Sequence, residues 1–390
     1  MECQNNLNPK DFENSSTGKC RKNLQGYYTF IPNPLPPGIM YNDTLISLLS
    51  RADRLLGELS GTGRILKNPY LLISPYIRRE AVSSSKIEGT QSSLSDLFFY
   101  EASEIKRPRI QDVKEVHNYV LAMEEGIRLL RELPVSTRLI TKLHEILMKG
   151  VRGGHGTPGE LRRSQNRIGP PGCSLDEATF VPPPVDEMHS ALSDWEKYVN
   201  SAAKEPVLLQ AALMHYQFEA IHPFIDGNGR IGRLLITIFL CQKDSLSQPL
   251  LYLSEFFEQF RSEYYARLLA ISRVGDWQGW FEFFLRGVIN TAESALANAK
   301  SILSLYDDYS RLLNEAKRLP EIAHKLLDEI FMSPLISVSN LSKRWGVSFN
   351  SVKAGVTRLE QIGLLSEITG RERNKLFASK ELMKILLKNP

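Results

Sequence analysis

Twelve consecutive residues, His222-Pro223-Phe224-Ile225-Asp226-Gly227-Asn228-Gly229-Arg230-Ile231-Gly232-Arg233, bring together a base, a carboxylate, a glycine turn and two cations. His222 has a resting pKa close to neutrality, which makes it a candidate general base. Asp226 offers the hard oxygens that Mg²⁺ prefers, and Mg²⁺ usually takes one or two protein carboxylates together with phosphates. Gly227 and Gly229 free the backbone for positive φ and outward N–H groups, where a following helix adds a field that favours anions. Arg230 and Arg233 are three apart and share a helix face, so two cations beside an anion nest suit a polyphosphate. A lone histidine before proline, or a lone Gly-Asn-Gly, is usually structural. Their conjunction in one unbroken run reads as an active site.

The flanking residues must position this run. Val207 to Ile221 is apolar at helical spacing, and Pro223 forbids simple continuation, so His222 falls at a helix exit. Leu234 to Leu240 resumes an apolar helix, which the Gly227-Asn228-Gly229 turn opens. Further upstream, Ser74-Pro75 predicts a helix start and Gly89 its end. Glu88 then sits in the last turn, where the helix dipole disfavours a carboxylate by roughly 0.3–1 kcal/mol, and Ser83-Ser84-Ser85 is poor helix-forming sequence. Glu88 is either solvated and paired with a surface cation such as Lys86, or it supplies an anion to an arginine elsewhere in the fold.

Between Gly150 and Pro184 lies a long connection containing His155, Gly159, Arg162 and Arg163, Ile168-Gly169-Pro170-Pro171-Gly172, and Phe180-Val181-Pro182-Pro183-Pro184. A structureless stretch of this length is a functional or a disordered loop. With no second ligand at fitting spacing, His155 reads as a loop residue rather than a metal ligand.

His222 to Arg233 matches every specified position of the Fic-domain signature, His-Pro-Phe-x-Asp/Glu-Gly-Asn-Gly-Arg-x-x-Arg, and the chain resembles that family. The resemblance implies an all-α fold, a Fic helical core with a β-hairpin flap, and transfer of AMP from ATP to a Ser, Thr or Tyr hydroxyl of a protein with release of pyrophosphate. His222 would be the base and Asp226 would hold Mg²⁺. Gly227, Asn228, Gly229, Arg230, Ile231, Gly232 and Arg233 would bind ATP, with Arg233 on the γ-phosphate. Ser84-Ser85-Lys86-Ile87-Glu88-Gly89 resembles the family's inhibitory motif, so Ser84, Glu88 and Gly89 would restrain the site through a Glu88–Arg233 pair, and the same carboxylate leaves open removal of AMP. Ile168, Gly169, Phe180 and Val181 fall on the flap that clamps the target, whose exposed edge can pair with an extended segment. Tyr265 would line the nucleoside pocket. A homodimer is the family habit. A phosphotransferase branch lacks the distal arginine, so Arg233 argues for nucleotidyl transfer, and a Fic-type phosphotransferase stays as an alternative.

Length and composition agree with several domains and ample core material. The reading divides the chain into an extended, partly disordered arm at 1–38, an N-terminal helical region at 39–110 with the inhibitory helix at about 75–89, a catalytic core at 111–318, and a tail at 319–390. Strand patterning is nearly absent outside the flap, and Gly61-Thr62-Gly63 reads as the turn ending a helix from Leu45 to Leu59. No apolar stretch can span a bilayer, no signal peptide is evident, and the four cysteines form no Cys-x-x-Cys pair, so a cytoplasmic protein without zinc or a disulfide framework is expected. No P-loop occurs.

The chain carries a net charge of +4, and residues 331–390 alone hold ten Lys/Arg against four Asp/Glu. Their pattern of two helices about a Gly346-Val347-Ser348 turn, then a hairpin, resembles a winged helix-turn-helix. Lys353, Arg358, Arg371, Arg373 and Lys375 could meet DNA phosphates. A DNA-binding regulator that senses nucleotide is therefore the alternative reading, and docking or dimerisation is a third use for the tail.

Overall fold

The computed structural model describes residues 8–12, 15–23, 25–102, 110–151, 157–170, 172–317 and 319–387; His155 and Cys3 lie outside them. Helices dominate. The N-terminal part holds α1 (Asp43–Ile65), α2 (Tyr70–Ile87), α3 (Leu94–Ala102) and α4 (Ile110–Leu129). Next come α5 (Thr137–Leu147), α6 (Val185–Val199), α7 (Val207–Ile221), α8 (Asn228–Gln242), α9 (Ser254–Gln259), α10 (Arg261–Val274) and α11 (Trp277–Glu315).

The apolar runs on either side of the twelve-residue motif become α7 and α8, which pack on each other at the centre of the body. Residues Leu208 to Phe218 of α7 and Ile231 to Leu240 of α8 are buried on every face, as expected of helices that are apolar all round. Helices α2, α4 and α5 pack on α8, and α6 and α11 on α7. The chemistry-bearing loop is thus strung between two helices buried along nearly their whole length.

Three expectations are corrected. The arm at 1–38 is not simply extended: β1 (Gly18–Lys22) and β2 (Tyr28–Pro32) form an antiparallel hairpin, with Gly18 opposite Pro32. Phe12 and Phe30 anchor it in the core, and Thr17 Oγ1 donates to the Ile271 carbonyl at 2.8 Å. Helix α2 begins at Tyr70 rather than at Ser74-Pro75, with Pro75 inside it. Burial of Leu71, Leu72 and Ile73 carries the extra turn despite the backbone hydrogen bond that Pro75 cannot make. Helix α1 likewise runs through Gly61 and Gly63 to Ile65, because Gly63 packs against the Ser247-Gln248 connection. Ser60 fastens that contact, accepting from Ser247 N–H at 2.9 Å and from Ser247 Oγ at 2.6 Å.

The 39-residue α11 leads from the body to the C-terminal elements. These run α12 (Ala323–Met332), β3 (Leu335–Ser337), α13 (Val338–Trp345), α14 (Phe349–Gln361), β4 (Ser366–Glu367), β5 (Leu376–Ala378) and α15 (Lys380–Leu387), with an antiparallel sheet ordered β3-β5-β4. Helices α13 and α14 flank the left-handed Gly346, where the sequence places its turn. The C-terminal unit docks on the body: α12 packs on α2 and α11, and Asn340 Nδ2 donates to the Glu101 carbonyl at 3.0 Å.

Candidate active site

Helix α7 ends on His222 in the left-handed region, φ 50° and ψ 61°, a conformation that costs a non-glycine residue about 1 kcal/mol or more. The neighbouring loop holds it there. Arg162 Nε and Asn166 Nδ2 both donate to the His222 carbonyl at 3.0 Å. Arg162 also reaches the Pro183 carbonyl at 2.5 Å through Nη2, and Asn166 the Phe224 carbonyl at 2.7 Å. His222 Nδ1 lies 3.2 Å from the Glu219 carbonyl, which can only accept, so Nδ1 carries the proton and Nε2 keeps its lone pair. Burial pushes the His222 pKa down to about 4. At neutral pH the ring is a neutral base with Nε2 free.

The loop after His222 folds on itself. Asn228 accepts from Phe224 N–H and donates to the Phe224 carbonyl, both at 2.8 Å, so its side chain closes the turn. Gly227 takes φ +79° at the N-cap of α8, and Ile231 N–H makes the first bond back to the Gly227 carbonyl at 3.1 Å. The N–H groups of Asn228, Gly229 and Arg230 therefore have no carbonyl partner within the helix, which is the arrangement that receives an anion. Asp226 stands beside them, its side chain 50% exposed and its Oδ1 accepting Gly227 N–H at 2.6 Å. Among the described residues no cluster of three metal-ligating side chains occurs, so Asp226 is a single carboxylate at the mouth of the cradle. That donor set fits Mg²⁺ brought in with phosphates rather than a caged ion.

The two arginines share a helix face but have different partners. Arg230 is buried among Met148, Glu115 and Asp226, at 3.6, 3.7 and 3.8 Å. Arg233 turns to α2: its Nε donates to Ser84 Oγ and its Nη2 to the Ser84 carbonyl, each at 3.0 Å, and Nη2 meets Glu88 Oε1 at 2.6 Å. The side chain of Arg233 is 1% exposed and that of Glu88 38%, so the cation is desolvated while its counterion can be reached from solvent. Burial works against the charge on Glu88, but Arg233 outweighs it and holds the carboxyl below its ordinary value. Glu88 caps α2, and Gly89 leaves it at φ +94°.

Only one of the two motif glycines that sequence reasoning assigns to positive φ is there, namely Gly227. Gly229 lies in α8 and is bare for another reason: a Cβ there would run into Glu88 Oε1 and stand 2.9 Å from Arg233 Nη1. Gly232 is bare because a Cβ would collide with Glu219 Oε1. Glu219 Oε1 is itself buried without a hydrogen-bond partner, and burial pushes this carboxyl up to about 8. Ile231 faces the core, so only its backbone belongs to the site. Tyr265 is 40% exposed, with the Arg261 guanidinium 5.9 Å above its ring. Its neighbour Tyr264 is buried on His215 and Phe257, with His215 Nε2 2.8 Å from its hydroxyl.

The flap segment is a single antiparallel pair, Ile168 with Phe180, bonded at 2.8 and 3.0 Å. The Val181 carbonyl is already taken by Phe30 N–H at 2.9 Å, so β2 covers the return arm. Phe180 and Val181 are buried, so the accessible part of the flap is the arm with Ile168 and Gly169. In the tail, Lys353, Arg371, Arg373 and Lys375 are exposed. Arg358 is committed elsewhere, donating to the Lys317 carbonyl at 2.8 Å.

Sequence reasoning missed Arg162 and Asn166 as clamps of His222, Glu219 as the neighbour of Gly232, and His144. The His144 ring stacks on Phe224 at 3.9 Å and 6°, and touches the Asp226 carbonyl at 3.0 Å.

A helical body that presents a histidine and an anion cradle between two buried helices is the Fic arrangement, and the sequence comparisons agree. The Fic/DOC family N-terminal model matches residues 46–128 and the Fic/DOC family model residues 134–240. The chain belongs to the Fic/DOC family. It is 30% identical over 177 residues to protein adenylyltransferase Fic of Drosophila grimshawi, covering 43% of this chain and 32% of that one. To protein adenylyltransferase Fic of Drosophila willistoni it is 32% identical over 178 residues, covering 43% and 31%. The chain thus spans about a third of the length of these curated relatives. A Fic family protein from Desulfovibrio desulfuricans G20 shares the fold, with a TM-score of 0.56 at 18% identity, over 88% of this chain and 98% of that one. No helix among the described residues is long and apolar enough to cross a membrane.

Proposed function

We propose that this protein is an adenylyltransferase that moves AMP from ATP to a Ser, Thr or Tyr hydroxyl of a protein, and that Glu88 restrains it. One observation carries the reading: a neutral His222 with a free Nε2 lies beside an anion cradle whose distal arginine is held by a solvent-accessible carboxylate. In the reaction His222 Nε2 takes the proton of the target hydroxyl as its oxygen bonds the α-phosphorus. The bond from that phosphorus to the β-phosphate oxygen breaks, and pyrophosphate leaves. The N–H groups at the start of α8 steady the charge that develops on the phosphates. Asp226 would hold Mg²⁺, which supplies charge neutralisation to the polyphosphate. Arg233 would take the γ-phosphate, and Glu88 competes for the same guanidinium, so the nucleotide must displace it to sit productively. The names of relatives 30% and 32% identical over 177 and 178 residues support this reading.

The direct test supplies ATP labelled at the α- or the γ-phosphate to wild type, to Glu88→Gly, and to Glu88→Gly with His222→Ala. Protein-bound α-label on the single variant, lost in the double, is expected. The exposed Lys353, Arg371, Arg373 and Lys375 support a second reading, docking of duplex DNA by the tail. Binding that weakens steeply with salt would favour it.

A further inference from the structure

We propose that His144 is the positioning residue that registers the Asp226 loop against the root of the flap, and so sets where the metal-binding carboxylate stands. The proposal rests on the adenylyltransferase reading. His144 comes from α5, 82 positions away from Asp226, and is 1% exposed. Gly159 N–H donates to His144 Nδ1 at 2.9 Å, so Nδ1 must hold a lone pair. The neutral ring then carries its proton on Nε2, which donates to the Asp226 carbonyl at 3.0 Å. One imidazole in one tautomer thereby joins two segments.

The tie reaches both halves of the chemistry. On one side, the Asp226 peptide leads directly into Gly227 at positive φ, and Gly227 N–H is what Asp226 Oδ1 accepts. Turning the Asp226 carbonyl would swing the carboxylate and the cradle together. On the other side, Gly159 precedes Arg162, whose guanidinium holds the His222 carbonyl. Stacking on Phe224 at 6° fixes the plane of the ring, so the two hydrogen bonds cannot be kept by a tilted side chain. Space around Gly227 is filled as well, since a Cβ there would stand 3.0 Å from Met148 Sδ and 3.5 Å from the His144 ring. Outer partners that orient a metal-binding carboxylate typically change metal affinity 10–100-fold when removed.

The two contacts can be separated by substitution. In His144→Gln the amide nitrogen can take the place of Nε2 and donate to Asp226. In His144→Asn the amide oxygen can take the place of Nδ1 and accept from Gly159, but nothing reaches Asp226. Both are placed in the full-length Glu88→Gly background, and the Mg²⁺ concentration giving half-maximal binding of ATP is measured by calorimetry alongside transfer of α-label. His144→Asn should need at least about tenfold more Mg²⁺, while His144→Gln should stay within about threefold of its parent. Equal shifts in the two variants, or none in either, would overturn the proposal.

A measurement on the unsubstituted protein keeps the proposal open to failure should the variants not fold. Ring ¹⁵N shifts of histidine-labelled protein must show His144 as the Nε2–H tautomer, and an Nδ1–H tautomer would overturn the assignment. Loss of the adenylyltransferase reading would look different: the parent would carry no α-label at all, while the ¹⁵N tautomer and the Mg²⁺ dependence of ATP binding would still judge His144.

Discussion

Glu88 Oε1 lies 2.6 Å from Arg233 Nη2 and also fills the space that a side chain at Gly229 would need, so one carboxylate occupies both the distal cation and the volume above the cradle. The pairing costs α2 a carboxylate at its C-terminal end, where the helix dipole opposes it. The buried guanidinium offsets that cost, because breaking the pair would leave an uncompensated charge in the core. Release of Glu88 therefore requires a replacement anion, and a nucleotide polyphosphate brings one.

Ser84 holds Arg233 toward α2 by two contacts, of which Ser84→Ala removes only the one to Oγ. The variant should lose about 1 kcal/mol of stability and raise α-label transfer a few-fold, well short of Glu88→Gly. Thermal melting and transfer measured together check this. A rise equal to that of Glu88→Gly would mean that Ser84, not the ion pair, is the restraint.

Glu219 makes stability depend on pH. Its ordinary value is 4.5, and burial raises it to about 8 in the folded chain. Between those values the unfolded chain ionises while the folded chain keeps its proton, so folding loses stability as pH rises through that window. Glu219→Gln imitates the protonated form and should be more stable than wild type at pH 8, by about 4 kcal/mol if the full shift is realised, and by less than about 1 kcal/mol at pH 5. An equal change at both pH values would contradict the assignment.

His222, held at about 4 by burial, should stay neutral well below the range where an ordinary histidine titrates. For Glu88→Gly the acid limb of kcat/KM should therefore be flat from pH 7.5 down to pH 6. An inflection near 6.5 would show that the ring titrates as if exposed.

The site was legible where its residues are contiguous. His222 to Arg233 declared a helix exit, a turn and a helix start, because proline and glycine punctuate the backbone locally. Glu88 was legible as a conflict between local preference and placement, and Arg233 proved to be its resolution. Arg162 and His144 were not legible, since they act from 60 and 82 residues away on carbonyl groups of the loop, and main-chain acceptors leave no trace in side-chain spacing. The N-terminal hairpin was missed because β1 is Gly-Lys-Cys-Arg-Lys, a polar strand without an apolar alternation, ordered by the partner that carries Phe30. Helix α2 was read as starting late because Pro75 is tolerated within a helix whose first turn is already buried. The C-terminal turn at Gly346 and the paired segments around 366–367 and 376–378 fall where glycine and short apolar runs put them.

AMP transfer by His222 under restraint by Glu88 can be read out directly. The most direct measurement is transfer of label from α- and γ-labelled ATP to protein, with Mg²⁺, in wild type, Glu88→Gly, and Glu88→Gly with His222→Ala. Weak α-label is expected in wild type, at least about tenfold more in Glu88→Gly, and none in the double variant. Label arriving from the γ-phosphate, or an unchanged level of α-label on removing Glu88, would contradict it.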